Sequence, residues 1–136
     1  ESVNIPLIHI ADSVGKNLIK QHVKTVALLG TNFTMTKTFY SKRLQENFGL
    51  NVITPNESER QDIHRIIYDE LIKGIFLPES REIYLKIIKH LQEQGAEAII
   101  LGCTEIGLLI KQSDTEVLLV DSIDAHVADM VSFILS

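Results

Sequence analysis

The chain alternates between compact apolar runs and longer stretches whose apolar residues recur at helical spacing. Residues 23–29, 50–53, 96–101 and 117–120 are apolar runs of strand length. A run that is apolar throughout, without strict alternation, suits a strand covered on both faces of a parallel sheet. A weaker run at 5–10 is interrupted by Pro6 and reads as a short strand. The segments between them are amphipathic. One helix is expected from a cap at Asp12 or Ser13 to about residue 22, with Val14, Leu18 and Ile19 inward, and a second over 33–48, ended by Gly49. A third, begun by Asn56 or Ser58, covers 57–73 with the stripe Ile63, Ile66, Ile67, Leu71 and Ile72. Pro78 opens a fourth over 79–94, with Ile83, Leu85, Ile87, Ile88 and Leu91 inward, and Gly95 stops it. A short helix over 105–111 and a last one, capped by Asp121 or Ser122 and running to 134 on Ala125, Val127, Ala128, Val131 and Ile134, complete the pattern. Strands alternating with helices predict an α/β fold, a parallel sheet flanked by helices with right-handed crossovers.

Composition narrows the field. With 136 residues, 45% of them hydrophobic and 23% charged, the chain is one domain able to bury a real core. A net charge of −5 argues against nucleic acid or an anionic membrane surface as the main partner. No apolar stretch approaches the ~20 residues of a membrane span. A single cysteine allows no internal disulfide, which fits a reducing cytoplasm. The first residue is Glu1 rather than Met, so a processed product or a fragment of a longer chain is expected. The dinucleotide glycine fingerprint with its downstream acid is missing, so NAD is not expected.

The chemistry concentrates at two strand-to-helix turns. After the apolar run 96–101 come Gly102, Cys103, Thr104 and Glu105. A thiol at the carboxyl end of a parallel strand faces the crevice where such sheets bind ligands. At the start of a helix its thiolate is favoured by the dipole and by free N–H groups. The competing reading is a cysteine serving as a small core hydrophobe. After the run 23–29, Gly30, Thr31, Asn32, Phe33 and Thr34 form a similar turn. Its hydroxyls and N–H groups can hold a carboxylate, or Thr31 or Asn32 can simply cap the next helix. Lys73 ends the third helix, where a lysine also suits the negative helix end and water. His64 and Tyr68 stand four apart on that helix, but no ligand spacing for a metal accompanies them. No Cys–His pairing is identifiable among the five histidines.

The stretch Gly102-Cys103-Thr104-Glu105-Ile106-Gly107-Leu108-Leu109 resembles the second cysteine motif of the aspartate/glutamate racemase family. Gly30-Thr31 with Thr34 resembles the family's substrate-carboxylate turn. Residues 66–74, ending in Lys73 and Gly74, are similar to the helix that carries a substrate-associated lysine in aspartate racemases. The likeness runs nearly end to end. It implies one lobe of a pseudo-symmetric two-lobe fold, in which each lobe supplies one cysteine to a cofactor-independent racemisation at the α-carbon. Cys103 would be the catalytic thiol. Thr31, Thr34 and Thr104 would hold the substrate carboxylate, and Lys73 its side-chain carboxylate; no metal is implied. Residues 1–115 would form the second lobe. Residues 116–136 would be a strand and helix packing on the first lobe, whose Cys-Asn-Thr motif this sequence lacks. An isolated monomer is then expected to be inactive, and a homo-oligomer is expected from the apolar surface left uncovered. A single-cysteine decarboxylase of the same superfamily and a non-catalytic α/β binding module remain alternatives.

Overall fold

Four of the apolar runs become the strands of one parallel sheet. The structure is a computed structural model that describes residues 10–31, 35, 38–121, 131, 134 and 135. In chain order the elements are α1 (Ile10–Lys20), β1 (Thr25–Leu29), α2 (Thr38–Phe48), β2 (Asn51–Ile53), α3 (Glu57–Asp69), a 3-10 turn (Leu71–Lys73), α4 (Pro78–Glu93), β3 (Ala98–Leu101), α5 (Ile106–Leu109), a second 3-10 turn (Gln112–Asp114) and β4 (Leu118–Asp121). The strand order is β2-β1-β3-β4, all parallel. The α/β class and the helix-flanked parallel sheet are therefore as the sequence pattern predicts. β4 belongs to the 116–136 segment, and it forms the sheet edge beside β3 with Val120 buried.

The strand side chains part to two faces because successive residues point to opposite sides. Val26, Leu28, Ala98 and Ile100 join Ala11, Val14 and Leu18 of α1 and Tyr40 and Leu44 of α2 in one apolar cluster. Ala27, Leu29, Ile99 and Leu101 join Ile63, Ile66 and Ile67 of α3 and Tyr84, Ile88 and Leu91 of α4 in the other. Both inner strands are buried along their length apart from Thr25. That is why they read as unbroken apolar runs.

Local chemistry sets the ends. Asn56 and Glu59 form a reciprocal cap on α3: Glu59 N–H donates to Asn56 Oδ1 at 2.8 Å and Asn56 N–H to Glu59 Oε1 at 3.0 Å. Pro78 opens α4 at its first turn. Gly74, at φ 77°, takes the left-handed conformation that ends the Leu71–Lys73 turn. The loops joining the strands' amino ends are tied by Glu97, whose Oε1 accepts the N–H groups of Lys24 and Thr25, each at 2.9 Å.

Several boundaries and faces differ from the pattern. The expected strand at 5–10 lies outside the described residues except for Ile10, which begins α1. Asp12 and Ser13 do not cap α1 but lie within it. Asp12 instead takes both Nε and Nη2 of Arg43 on α2, at 2.7 and 2.8 Å, a bidentate pair joining the two helices. The buried face of α1 is Ala11, Val14, Gly15 and Leu18, and Ile19 is 46% exposed. That earlier start carries the inward stripe one residue away from Ile19. Gly15 is required there, since a Cβ would lie 2.4 Å from the Phe48 ring. The third helix stops at Asp69 rather than Lys73. Glu70 leaves helical geometry at φ −127°, and the tighter turn that follows rotates Ile72 outward, to 53% exposure, while Leu71 stays buried. On α4 the innermost residues are Ser80, Tyr84, Ile87, Ile88 and Leu91, with Ile83 and Leu85 only half-buried. Tyr84 takes the central place because its hydroxyl donates to the Ile63 carbonyl at 2.9 Å. The short helix after Cys103 spans four residues. Of the last predicted helix, Val131, Ile134 and Leu135 are helical and exposed, and the remaining positions fall outside the described residues.

Two outcomes follow for stability. Gly15→Val should destabilise the chain by about 1–3 kcal/mol in chemical denaturation, because it drives a branched side chain into Phe48. Hydrogen bonds from the Thr25 and Lys24 N–H groups hold the Glu97 carboxyl below its ordinary value. The stability this contributes is present above that ordinary value of 4.5 and is lost as the pH falls through the depressed folded-state value. The gap in denaturation midpoint between wild type and Glu97→Gln should therefore be open at neutral pH and close under acid conditions.

Candidate active site

The sheet reverses its direction of growth between β1 and β3. From β1 the chain crosses to β2 on one side, then returns to place β3 on the other. At such a reversal the connections leave in opposite directions and open a crevice outside the carboxyl ends of the strands. Leu29 is the register partner of Leu101, and the Gly102 N–H donates to the Leu29 carbonyl at 2.7 Å. This pairing holds the turn after β1, with Gly30 and Thr31, beside the turn after β3, with Gly102 and Cys103. The two turns singled out in the sequence are thus neighbours at the reversal.

Cys103 is half-buried and packs on the α3/α4 cluster. Its Sγ–H donates to Glu105 Oε1 at 2.9 Å. Burial raises the thiol first, and the Glu105 carboxylate adds to it by hydrogen bond and charge. The N–H groups of Glu105 and Ile106 point at the sulfur and oppose the rise, but the net effect lifts Cys103 to about 11 from its ordinary 9.0. The thiolate-favouring helix end expected from the sequence is therefore overridden. α5, with four residues, has little dipole to offer, whereas burial and a full negative charge both act on the sulfur. Glu105 shifts the opposite way, because the thiol, its own N–H and the Thr104 hydroxyl all donate to its carboxylate.

The other predicted residues distribute unevenly. Thr31 is half-buried, and its carbonyl accepts the Met35 N–H at 3.0 Å, as a helix-capping residue's does. Thr34 lies outside the described residues. Thr104 is exposed, with its hydroxyl on Glu105. Lys73 is exposed at the end of the 3-10 turn. That turn packs against α5, the helix that follows Cys103, through a cluster that holds both Leu71 and Ile106. The structure thus brings together the Cys103 turn, the Thr31 turn and the element carrying Lys73.

Three further residues shape this edge and were not singled out from the sequence. Tyr84 faces Cys103 from α4; its hydroxyl is pushed far above the ordinary phenol range by burial, with the Cys103 and Glu70 charges adding and Arg65 opposing. It therefore stays a neutral phenol. Glu70 accepts the hydroxyl of the buried Ser80 and lies 3.6 Å from Arg65, which anchors the base of the Lys73 turn to α4. Asp121, at the end of β4, brings a carboxylate oxygen within 3.3 Å of where a Cβ on Gly107 would stand. The inward period of Ser80, Tyr84, Ile87, Ile88 and Leu91 was the signal available for Tyr84. Asp121 was marked in the sequence only as a helix cap, and nothing local marked Glu70. His64 packs on the Tyr68 ring at 4.6 Å, and no group of three metal-ligating side chains occurs among the described residues. No helix among the described residues is long and apolar enough to cross a membrane.

The thiol's state is measurable. Alkylation of Cys103 by iodoacetamide should follow a pH profile that is still rising above pH 9, the ordinary thiol value, with its midpoint near 11; urea-unfolded chain should alkylate with the ordinary profile. A midpoint at or below 9 in the folded chain would contradict the balance of forces described above.

Residues 1–130 match the family described as Asp/Glu/Hydantoin racemase. The broad specificity amino-acid racemase RacX of Bacillus subtilis (strain 168) is 26% identical over 125 residues, which is 90% of this chain and 52% of RacX. The crystal structure of a Yersinia pestis protein described by likeness as an Asp/Glu racemase superposes with a TM-score of 0.93 at 41% identity, over 97% of this chain and 57% of that one. An aspartate racemase homologue from Pyrococcus horikoshii OT3 gives 0.90 at 39% identity, over 98% of this chain and 58% of that one. The chain spans about half the length of its curated relative and somewhat more than half of these two structures. With a family match over nearly its whole length and a parallel sheet that superposes on two racemase-type structures, the chain belongs to the Asp/Glu/Hydantoin racemase family.

Proposed function

We propose that this chain carries one of two reacting thiols of an amino-acid racemase of the aspartate/glutamate type, working without a cofactor. The observation that supports it most is the position of the Cys103 thiol, at the carboxyl end of β3 and at the reversal of strand order, beside Gly30 and Thr31. Racemisation needs a base on one face of the α-carbon and an acid on the other, and exchanging their roles reverses the reaction. Two thiols meet that demand, and this sequence contains one. The second would come from the part of the racemase that lies outside these residues.

In this reading residues 1–115 form the second lobe, with β4 of the 116–136 segment as the edge of its sheet, and the helix with Val131, Ile134 and Leu135 packs on the first. The exposure of those three side chains fits a surface meant to be covered, by that lobe or by a second copy in a homo-oligomer. Carbanion formation also requires the substrate carboxylate to be held by preorganised donors. The turn carrying Thr31 and Thr34 is assigned that role, with Thr104 and the N–H groups after Gly102. Lys73, exposed on a turn packed against α5, is assigned to the side-chain carboxylate. A free thiol as the reacting group suits a reducing cytoplasm.

The decisive measurement is α-proton exchange of aspartate and glutamate in D₂O, followed by NMR, on the longest reading frame that contains this sequence. Exchange should be robust there and fall by about 10²–10⁴-fold in Cys103→Ser. The 136-residue chain alone should exchange negligibly. Exchange that survives Cys103→Ser unchanged would sink the proposal.

A further inference from the structure

Glu105 stands two residues from the thiol, and its contact with Cys103 is not explained by packing. Its carboxylate accepts the Sγ–H at 2.9 Å and is held ionised by three donors, the thiol, its own N–H and the Thr104 hydroxyl. A carboxylate kept ionised against a half-buried sulfur makes removal of the sulfur's proton unfavourable, because two negative charges would then share one site. The alternative destination for the proton, the Glu105 carboxylate itself, is disfavoured by the two donors that would remain, its own N–H and the Thr104 hydroxyl, which favour its charged form. We propose that Glu105 is a positioning residue that holds Cys103 in its thiol form in the resting chain, so that this cysteine enters the reaction as the proton donor.

The surroundings agree. From α4, Tyr84 faces the sulfur as a neutral phenol. Beyond it Glu70 and Arg65, 3.6 Å apart, act in opposite directions on the Tyr84 hydroxyl rather than on the sulfur. From β4, Asp121 brings a further carboxylate against α5 at Gly107. The N–H groups of Glu105 and Ile106 pull the other way. Among the side chains named here, Glu105 is the one hydrogen-bonded to the sulfur, at 2.9 Å. In the donating step the Cys103 S–H bond breaks and its proton passes to the α-carbanion, leaving a thiolate. That thiolate is then the base for the reverse reaction, and the repulsion from Glu105 drives it to take a proton back.

The inference rests on Cys103 being the reacting thiol proposed above, but its test reads the thiol directly and needs no turnover. The pH profile of iodoacetamide alkylation is measured on the 136-residue chain for wild type, Glu105→Gln and Glu105→Ala, with circular dichroism to confirm the fold. Gln keeps the shape and removes the charge; Ala removes both. Each should move the alkylation midpoint down by about one unit, and so raise the rate near pH 8 several-fold to tenfold, offset partly by the lower intrinsic nucleophilicity of the less basic thiolate. Glu116→Gln, a change at an exposed site, should leave the profile in place. A midpoint that stays put or rises in both folded variants overturns the inference, whether or not the racemase reading holds. A downward shift in either folded variant supports it even if amino-acid exchange is never detected.

Discussion

Everything at the candidate site depends on the pairing of β1 with β3. These two strands are far apart in sequence, yet they carry the register that sets Leu29 opposite Leu101 and lets the Gly102 N–H reach the Leu29 carbonyl. The hydrogen bonds alone would not select this register. The alternation of the side chains does, since a slip of one residue would send Ala27 and Leu29 to the α1/α2 layer and Val26 and Leu28 to the α3/α4 layer. Burial on both faces therefore fixes the register, and the register fixes which turns adjoin. Because β2 lies on the far side of β1, the same pairing is also the point of reversal, and the crevice opens there rather than elsewhere along the sheet edge.

The α3/α4 layer turns this position into a chemical environment. The cluster that holds Ile63, Ile66, Ile67, Tyr84 and Ile106 packs on Cys103 and leaves it half-buried. Desolvation raises the thiol, and the nearby carboxylate of Glu105 raises it further. The break after Asp69 serves the same region. By leaving the helical path at Glu70, the chain keeps Leu71 in the core and carries Lys73 out to the surface against α5. The contact of Glu70 with Ser80 and Arg65 closes the base of that loop. Packing and polar anchoring thus act together to hold the turn that carries Lys73.

Exposed apolar side chains gather on the loop after the 3-10 turn and on α5: Ile72, Ile75, Phe76, Leu77 and Leu108 are each between 39% and 57% exposed. These side chains lie on the elements that border the Cys103 turn, and the chain covers 52% to 58% of the lengths of the three relatives compared above.

The sequence by itself foretold four strands, the fold class and the turn that holds Cys103. These follow from local patterning: an apolar run of strand length, a cap at Asn56 or Ser58, and prolines and glycines at element ends act within a few residues of themselves; that the cap is Asn56 with Glu59 came from the structure. The sequence also carried the family likeness, which lies in contiguous residues such as 102–109. What it left open were features set by partners distant in the chain. Ile19 and Ile72 are apolar yet exposed, because a helix start and a helix break shifted the inward face. Asp12 looked like a cap and is instead half of a pair with Arg43. Tyr84 was passed over on α4 because its burial depends on a carbonyl of another helix. The strand order, and hence the meeting of the Thr31 and Cys103 turns, was decided only when the helices packed on both faces. So was the protonation of Cys103. The pattern of a helix start promised a stabilised thiolate, but a pKa is a sum over burial and every nearby charge, and only the tertiary structure supplies that sum.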